Sequence, residues 1–475
     1  MRHGLRRWAG RGGLAVGAPL FDYAMRFLRT IVLAKLLAPA EFGLAMALAT
    51  VVFMSESATD LGADRYVVLH RGEPGRRALA AAHTLQLCRG LLIAAGLLLL
   101  AQPIAALFQV PQSASSFALV ALLPLLRGVA HLGVSQAQQD YRFGPYAAVS
   151  ATAQVVGFAG GVAAAVWLGD HRAILVAFLA EAAAFTAASW RVAGTRFQLS
   201  SHAADLGPAL RFGLPLMLNG VGLALIGQAD RVVVGWAFGP ETLAVYGLAL
   251  TLAVVPISPV FKGLGALSMP LMANAAPRGA AAWASAARVT YRVFAVAGLA
   301  YALGIALALD VALPALFGPA YGISDLFHVL LAAVVLLRVL RGAPTVALMA
   351  AGRTVLLSVA NLSAALGVAA AIGFVLLWPG PEAVTAGILL GDALSLSLAW
   401  LFAGRRMALH GRGLGIGVTV ASGAALVAAL ALWPEANAWQ RPLVALVGVL
   451  VLIPACLAAR QAWIRRRAEG AAAAS

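Results

Sequence analysis

The sequence predicts an all-α, polytopic membrane protein. Three observations predict it: 62% of its 475 residues are apolar and 11% charged, mean hydropathy is +0.90, and polar breaks cut the chain into long apolar stretches. A crossing needs roughly 20 apolar residues, and the breaks give about 14 transmembrane helices. They fall at 13–36, 43–62, 82–101, 115–137, 147–168, 173–190, 212–237, 243–266, 289–312, 326–349, 355–377, 384–403, 414–432 and 443–459.

Charge orients these spans, since Lys and Arg beside a span stay on the cytoplasmic side. With the N-terminus inside, 23 cations fall in eight cytoplasmic segments and two, Arg172 and Arg441, outside; the other nine lie within or at the ends of spans. Both termini are therefore expected in the cytoplasm. The net charge of +16 is spread over many short loops. That fits anionic lipid headgroups and argues against nucleic acid. The start MRHGLRRWAGRGG mimics a signal peptide, but Asp22, Arg26 and Arg29 interrupt the apolar run and no A-x-A site follows, so an uncleaved first span is expected. Two cysteines, Cys88 and Cys456, both inside predicted spans, imply no disulfide framework and no metal cluster.

The loops expected outside are short turns such as LAPAEFG, GDHR, FGPET and WPGPEAV. With no extramembrane domain to carry reactive groups, an enzyme is not expected. The chain also repeats itself. KLLAPAEFGLAMALATVV (35–52) aligns with WAFGPETLAVYGLALTLAVV (236–255), and Phe108, Arg127 and Arg142 recur as Phe317, Arg338 and Arg353, with 15 residues between the two arginines in both cases. Parallel repeats of this kind place a transporter's site between two bundles. The expected organisation is a basic cytoplasmic arm (1–12), a first six-helix bundle (13–194), a cytoplasmic linker (195–211), a second six-helix bundle (212–403), two additional C-terminal helices (404–460) and a basic, Ala-rich cytoplasmic tail (461–475). A central cavity is expected between the bundles. Pro19, Pro124, Pro215, Pro256, Pro259 and Pro344 fall inside spans, with Pro256 and Pro259 together the better hinge.

Charges inside spans then demand a reason, because an Arg at mid-bilayer costs at least about 2.5–3.5 kcal/mol. At about 1.5 Å per residue, Arg127 and Arg338 lie roughly 18 Å below their outer loops, with Arg26, Arg29, Asp230 and Arg231 at similar depth and Arg341 deeper. Asp22, Arg26 and Arg29 share one face of span 1, and Glu56 and Asp60 return on span 2. One reading is a salt-bridge ladder of Arg26 with Glu56 and Asp22. The other is a hydrated cavity that receives an anion, since nine cations face seven acids inside spans. All but two of the 34 basic residues are Arg, whose planar fork grips phosphate oxygens. Asn219 and Gln228 carry amides suited to sugar hydroxyls, and His131 and His328 are proton carriers only if they are more than packed residues.

LAKLLAPAEFGLAMA (33–47), GVSQAQQDYRF (133–143), RFGLPLMLN (211–219) and QADRVVVGWAFGPETLAVYGLALTLAVVPIS (228–258) resemble the polysaccharide-repeat flippases of the multidrug/oligosaccharidyl-lipid/polysaccharide exporter superfamily. The likeness runs from about residue 15 to 405. It departs at Asp140, where a more basic run would be expected. The resemblance implies a flippase moving an undecaprenyl-pyrophosphate-linked oligosaccharide from the cytoplasmic to the outer leaflet of the bacterial inner membrane. It implies cavity cations at Arg26, Arg29 and Arg231; the depth argument adds Arg127, Arg338 and Arg341, with Asn219 and Gln228 as sugar contacts. Candidate carriers for a coupling H+ or Na+ are Asp22, Glu56, Asp60 and Asp230. Membrane lipids are expected partners, with a polysaccharide polymerase and co-polymerase as further candidates. No cofactor is expected, and without a P-loop neither is ATP. The rivals are a drug/cation antiporter of the same superfamily, a polymerase or ligase, and a flippase for the peptidoglycan precursor.

Overall fold

In the computed structural model, residues 2–378 and 380–404 are described, and no strand occurs among them. The predicted spans 414–432 and 443–459, with the tail that follows, lie outside the described residues. The chain divides into two compact units, one ending at Leu248 and one beginning at Ala249.

The first unit opens with α1 (Arg2–Leu36), α2 (Pro39–Ala58), α3 (Ala63–Leu69) and α4 (Gly72–Leu107). Then come α5 (Ala114–Leu119), α6 (Leu122–Gly128), α7 (Gly133–Gln136), α8 (Gly144–Leu168) and α9 (Arg172–Val192). Helix α10 (Ala203–Val254) is broken at Gly239, whose φ of 78° and ψ of −174° turn the chain at the predicted FGPET loop. Pro240 follows, a residue whose fixed φ suits the first turn of a helix. Pro39 starts α2 in the same way. The second unit continues with α11 (Ile257–Ala275), α12 (Ala280–Phe317), α13 (Asp325–Leu340), α14 (Gly342–Ala350), α15 (Thr354–Leu362), α16 (Leu366–Leu377) and α17 (Pro381–Gly404).

Nine stretches among the described residues are long and apolar enough to cross a membrane, or ten with the bent pair Pro111–Gly128 and Gly133–Asp140. One of them, Ala203–Arg278, contains the turn at Gly239 and so covers two of the predicted spans. Helix α1 covers another: its 35 residues suffice for a crossing, while Asp22, Arg26 and Arg29 lower its apolar character. Leu92, Leu99, Trp167 and Leu376 are 74–90% exposed, as side chains facing lipid would be. The chain is a multi-pass membrane protein.

Span 4, predicted over 115–137, is broken, and span 10, predicted over 326–349, is interrupted locally while remaining one crossing over Asp325–Ala350. A proline has no N–H to donate, and its ring crowds the carbonyl four residues back. Pro124 sets that clash at Val120, where α5 ends; Pro344 sets it at Leu340, the last residue of α13; Pro259 sets it at Val255, between α10 and α11. The bend between Gly128 and Gly133 reaches 50°.

Helices without a hydrophobic drive between them associate through small residues that bring backbones together. A Cβ on Gly90 would lie 2.4 Å from the Pro124 carbonyl oxygen, seating α4 on α6. On α8, a Cβ at Gly157 would meet the Glu181 Cβ at 2.8 Å, and one at Gly161 the Ala177 Cβ at 2.7 Å. Within the second unit, a Cβ on Gly387 of α17 would lie 2.3 Å from the Ala371 nitrogen of α16.

At the end carrying the α1–α2 turn, three loops are tied by one hydrogen-bonded chain. The Ser116 hydroxyl sits 2.8 Å from His171 Nε2, and His171 Nδ1 sits 2.6 Å from Glu41 Oε2, which also accepts the His171 backbone N–H at 2.9 Å. Ser116 is buried, and the chain reads as a clasp between the starts of α2, α5 and α9.

Overpacking a helix contact costs about 1–3 kcal/mol. Gly387→Val is therefore expected to lower the unfolding midpoint in detergent, whereas Gly373→Val, with open space around its Cβ, leaves it unchanged. His171→Ala is expected to remove about 1.5–3 kcal/mol through the lost charge-assisted bonds, read as a lower midpoint in the same assay.

Candidate functional site

The first unit encloses a cavity of about 300 Å³. Its wall includes Asp22 and Arg26 from α1, Arg127 from α6, Tyr146 and Gln154 from α8, and Glu181 from α9. Each arrives there by simple periodicity. Asp22, Arg26 and Arg29 fall four and three residues apart on α1, so they rise along one face of that helix. Helix α1 packs on α8, and α8 on α9, so that face meets Gln154 and Glu181.

Glu181 is the centre of the arrangement. Its Oε1 lies 3.1 Å from Arg26 Nη2 and 3.8 Å from Arg127 Nη2, and it accepts from Gln154 Nε2 at 2.9 Å. Its Oε2 accepts from Arg29 Nη1 at 2.8 Å. The Arg29 side chain is only 6% exposed, with its guanidinium 4.8 Å above the Phe178 ring. Arg26 and Arg127 differ: their side chains are 55% and 33% exposed, and both reach the cavity. Arg127 also pairs with Glu56. Asp22 accepts from the Ser150 hydroxyl at 2.7 Å, and Arg89 donates to the Thr59 hydroxyl at 3.0 Å and to the Glu56 carbonyl at 2.8 Å.

The salt-bridge ladder that is one of the two readings of the sequence is thus replaced. Arg26 bonds Glu181, 155 residues away, and Glu56 goes to Arg127. The reason is geometric, since α9 presents a buried carboxylate to the same face of α1. A surplus of positive charge is absent from this cavity: Arg26, Arg89 and Arg127 share the wall with Asp22, Asp60, Asp64 and Glu181. Asp60 spends one oxygen on the Gly62 N–H at 2.9 Å, capping the turn into α3, and lies 3.5 Å from Arg65 with the other.

The remaining predicted residues lie elsewhere. On α10, Arg231 donates to Gln228 Oε1 at 2.8 Å and to the Gly227 carbonyl at 3.2 Å, while buried Asp230 lies 3.4 Å from the Tyr246 hydroxyl. Asn219 is exposed. In the second unit, Arg338 Nε donates to Asp392 Oδ2 at 2.8 Å, and Arg341 Nη1 lies 3.6 Å from Asp392 Oδ1 and 3.2 Å from the Ser395 hydroxyl. His131 lines the first unit's cavity but packs edge-on against His83 and Trp190, and its Nδ1 accepts the Gly133 N–H at 3.0 Å.

Sequence reasoning counted Glu181, Arg89 and Asp392 among the charges inside spans and gave none of them a place in the site. A signal was available. Arg338 and Asp392 are 54 residues apart, and Arg127 and Glu181 are separated by the same 54.

Leaving a buried charge without its partner costs about 3–5 kcal/mol. Glu181→Ala is expected to destabilise the protein by that amount, and adding Arg29→Met to recover much of the loss. Thermal unfolding of the two single variants and the double variant measures the coupling; strictly additive effects would exclude it.

No curated protein matches the chain. Among solved structures, it is similar to the lipid II flippase MurJ in an inward closed conformation, at 11% identity and a TM-score of 0.66, over 94% of this chain and 98% of that one. It is also similar to an inward-facing multidrug resistance MATE family transporter of the MOP superfamily, at 15% identity and a TM-score of 0.59, over 82% and 94% of the two chains. At such identities the likeness establishes the fold, that of the polytopic transporters of this superfamily. The family model described as polysaccharide biosynthesis protein matches residues 32–325, more than half of the chain, and the chain belongs to that family.

Proposed function

We propose that this protein is a flippase that carries an undecaprenyl-pyrophosphate-linked oligosaccharide, a repeat of exopolysaccharide, capsule or O-antigen, from the cytoplasmic to the outer leaflet of the bacterial inner membrane. The observation that carries the reading is the cavity within the membrane-crossing helices of the first unit, where Arg26 and Arg127 line the wall with part of each side chain exposed. Taking a charged group out of water into a bilayer core costs tens of kcal/mol in the Born limit. The guanidinium donors of Arg26 and Arg127 in the cavity wall would replace that water for the diphosphate. The prenyl tail would stay in lipid. No covalent bond changes, so the protein is read as a transporter and not an enzyme.

Arg29, Arg231, Arg338 and Arg341, with Asn219 and Gln228, complete the proposed substrate path, in bundles bounded at 13–194 and 212–403. Alternating access moves the site from one leaflet to the other, driven by an H+ or Na+ gradient through Asp22, Glu56, Asp60 or Asp230. A polysaccharide polymerase and its co-polymerase would receive the product. Membership in the polysaccharide biosynthesis protein family supports this substrate class over the peptidoglycan precursor. A second reading, a drug/cation antiporter, draws on the four carboxylates that face three guanidiniums in the cavity wall.

Deleting the gene and analysing lipid-linked intermediates tests the proposal. An undecaprenyl-linked repeat accumulating on the cytoplasmic side is the expected result; unchanged glycolipid with altered drug tolerance would favour the antiporter. Arg26→Ala and Arg231→Ala are each expected to abolish polymer export while the protein still inserts, and normal export from both would remove the cavity assignment.

A further inference from the structure

Arginines meant to hold a substrate's oxyanion need an occupant in its absence, because an unpaired guanidinium inside a bilayer is costly. Glu181 meets that need in the first unit for Arg26 and Arg29, and shares Arg127 with Glu56. Asp392 has the same place in the second, between Arg338 and Arg341. The arginine and the acid are 54 residues apart in both units, Arg127 with Glu181 on α9 and Arg338 with Asp392 on α17.

The three arginines on Glu181 are not equivalent. Arg29 is sealed between the carboxylate and Phe178, whereas Arg26 and Arg127 face the open volume. We propose that Glu181 is an internal stand-in for the substrate's anion: a phosphate or diphosphate entering the cavity takes Arg26 and Arg127 from it, while Arg29 remains to neutralise it. The inference rests on the flippase reading in naming the diphosphate end of a lipid carrier as ligand. A diphosphate carries more charge than a carboxylate and offers more oxygens to a bidentate fork, so it wins the exchange. Because it must displace a bound anion, it does so by a reduced margin. A transported group has to leave again, and sites for such groups must bind weakly enough to let go.

Competition of this kind makes a prediction that a scaffold role does not. Glu181→Gln keeps the shape and one acceptor oxygen but removes the competing charge. Purified full-length protein in phosphatidylcholine nanodiscs is titrated with inorganic pyrophosphate and, separately, with farnesyl diphosphate. The variant is expected to bind about tenfold more tightly than the parent, a factor that corresponds to about 1.4 kcal/mol. Tightening toward both ligands points to the diphosphate alone as the recognised group, and tightening toward farnesyl diphosphate only points to a lipid-borne one. Equal or weaker binding of both by a monodisperse Glu181→Gln protein overturns the proposal. Should that variant fail to fold, Glu181→Gln with Arg29→Met, which removes the stranded cation, is read by the same criterion. Tighter binding together with a deletion strain that accumulates no lipid-linked repeat would sink the flippase reading and leave the anion site standing.

Discussion

Everything in the first unit turns on a single carboxylate sharing its charge among three guanidiniums. Glu181 is 4% exposed, on a helix whose neighbours are membrane-crossing segments. At that depth an Arg without a counter-charge would weigh against insertion, and so would a carboxylate alone. Together with Gln154 they form a closed set in which both Glu181 oxygens are engaged. The packing of α1, α8 and α9 by small residues is what lets these charges meet. Gly157 sits directly under the Glu181 side chain, where any larger residue would push the carboxylate out of reach.

The resulting cavity has an unexpected electrostatic character. Three guanidiniums and four carboxylates share its wall, so it is a mixed field of charges and not a positive well. Such a surface can exchange partners with little net change of charge. A ligand bearing a phosphate enters by replacing one anion with another, which avoids the large desolvation that a bare cationic pocket would impose on itself while empty.

Much of the fold was legible in the sequence because hydropathy and loop charge report directly on the membrane. The turns at Pro39 and Gly239, and the family resemblance carried by the residues around them, followed from local chemistry. Pro124 and Pro344 are legible as prolines inside spans, but the place of each interruption is not, because a proline's clash falls four residues upstream, inside what reads as an uninterrupted apolar run. Arg26 is drawn into the site by the family resemblance, Arg127 by depth, and Asp22 and Asp60 as coupling candidates; all four line one cavity. Partner choice was not legible: Arg26 and Glu181 are 155 residues apart, and nothing in local spacing distinguishes Glu181 from Glu56 as the acid that Arg26 meets.

In the second unit, the close seating of Gly387 against the Ala371 backbone bears on motion. Gly367 and Gly391 touch in the same manner one turn away, so at two successive turns the helices meet backbone on backbone. A side chain on any of these three glycines would have to wedge the pair apart, so the seam stays closed only while they remain bare. Seated this closely, α16 and α17 are expected to move together when either is displaced.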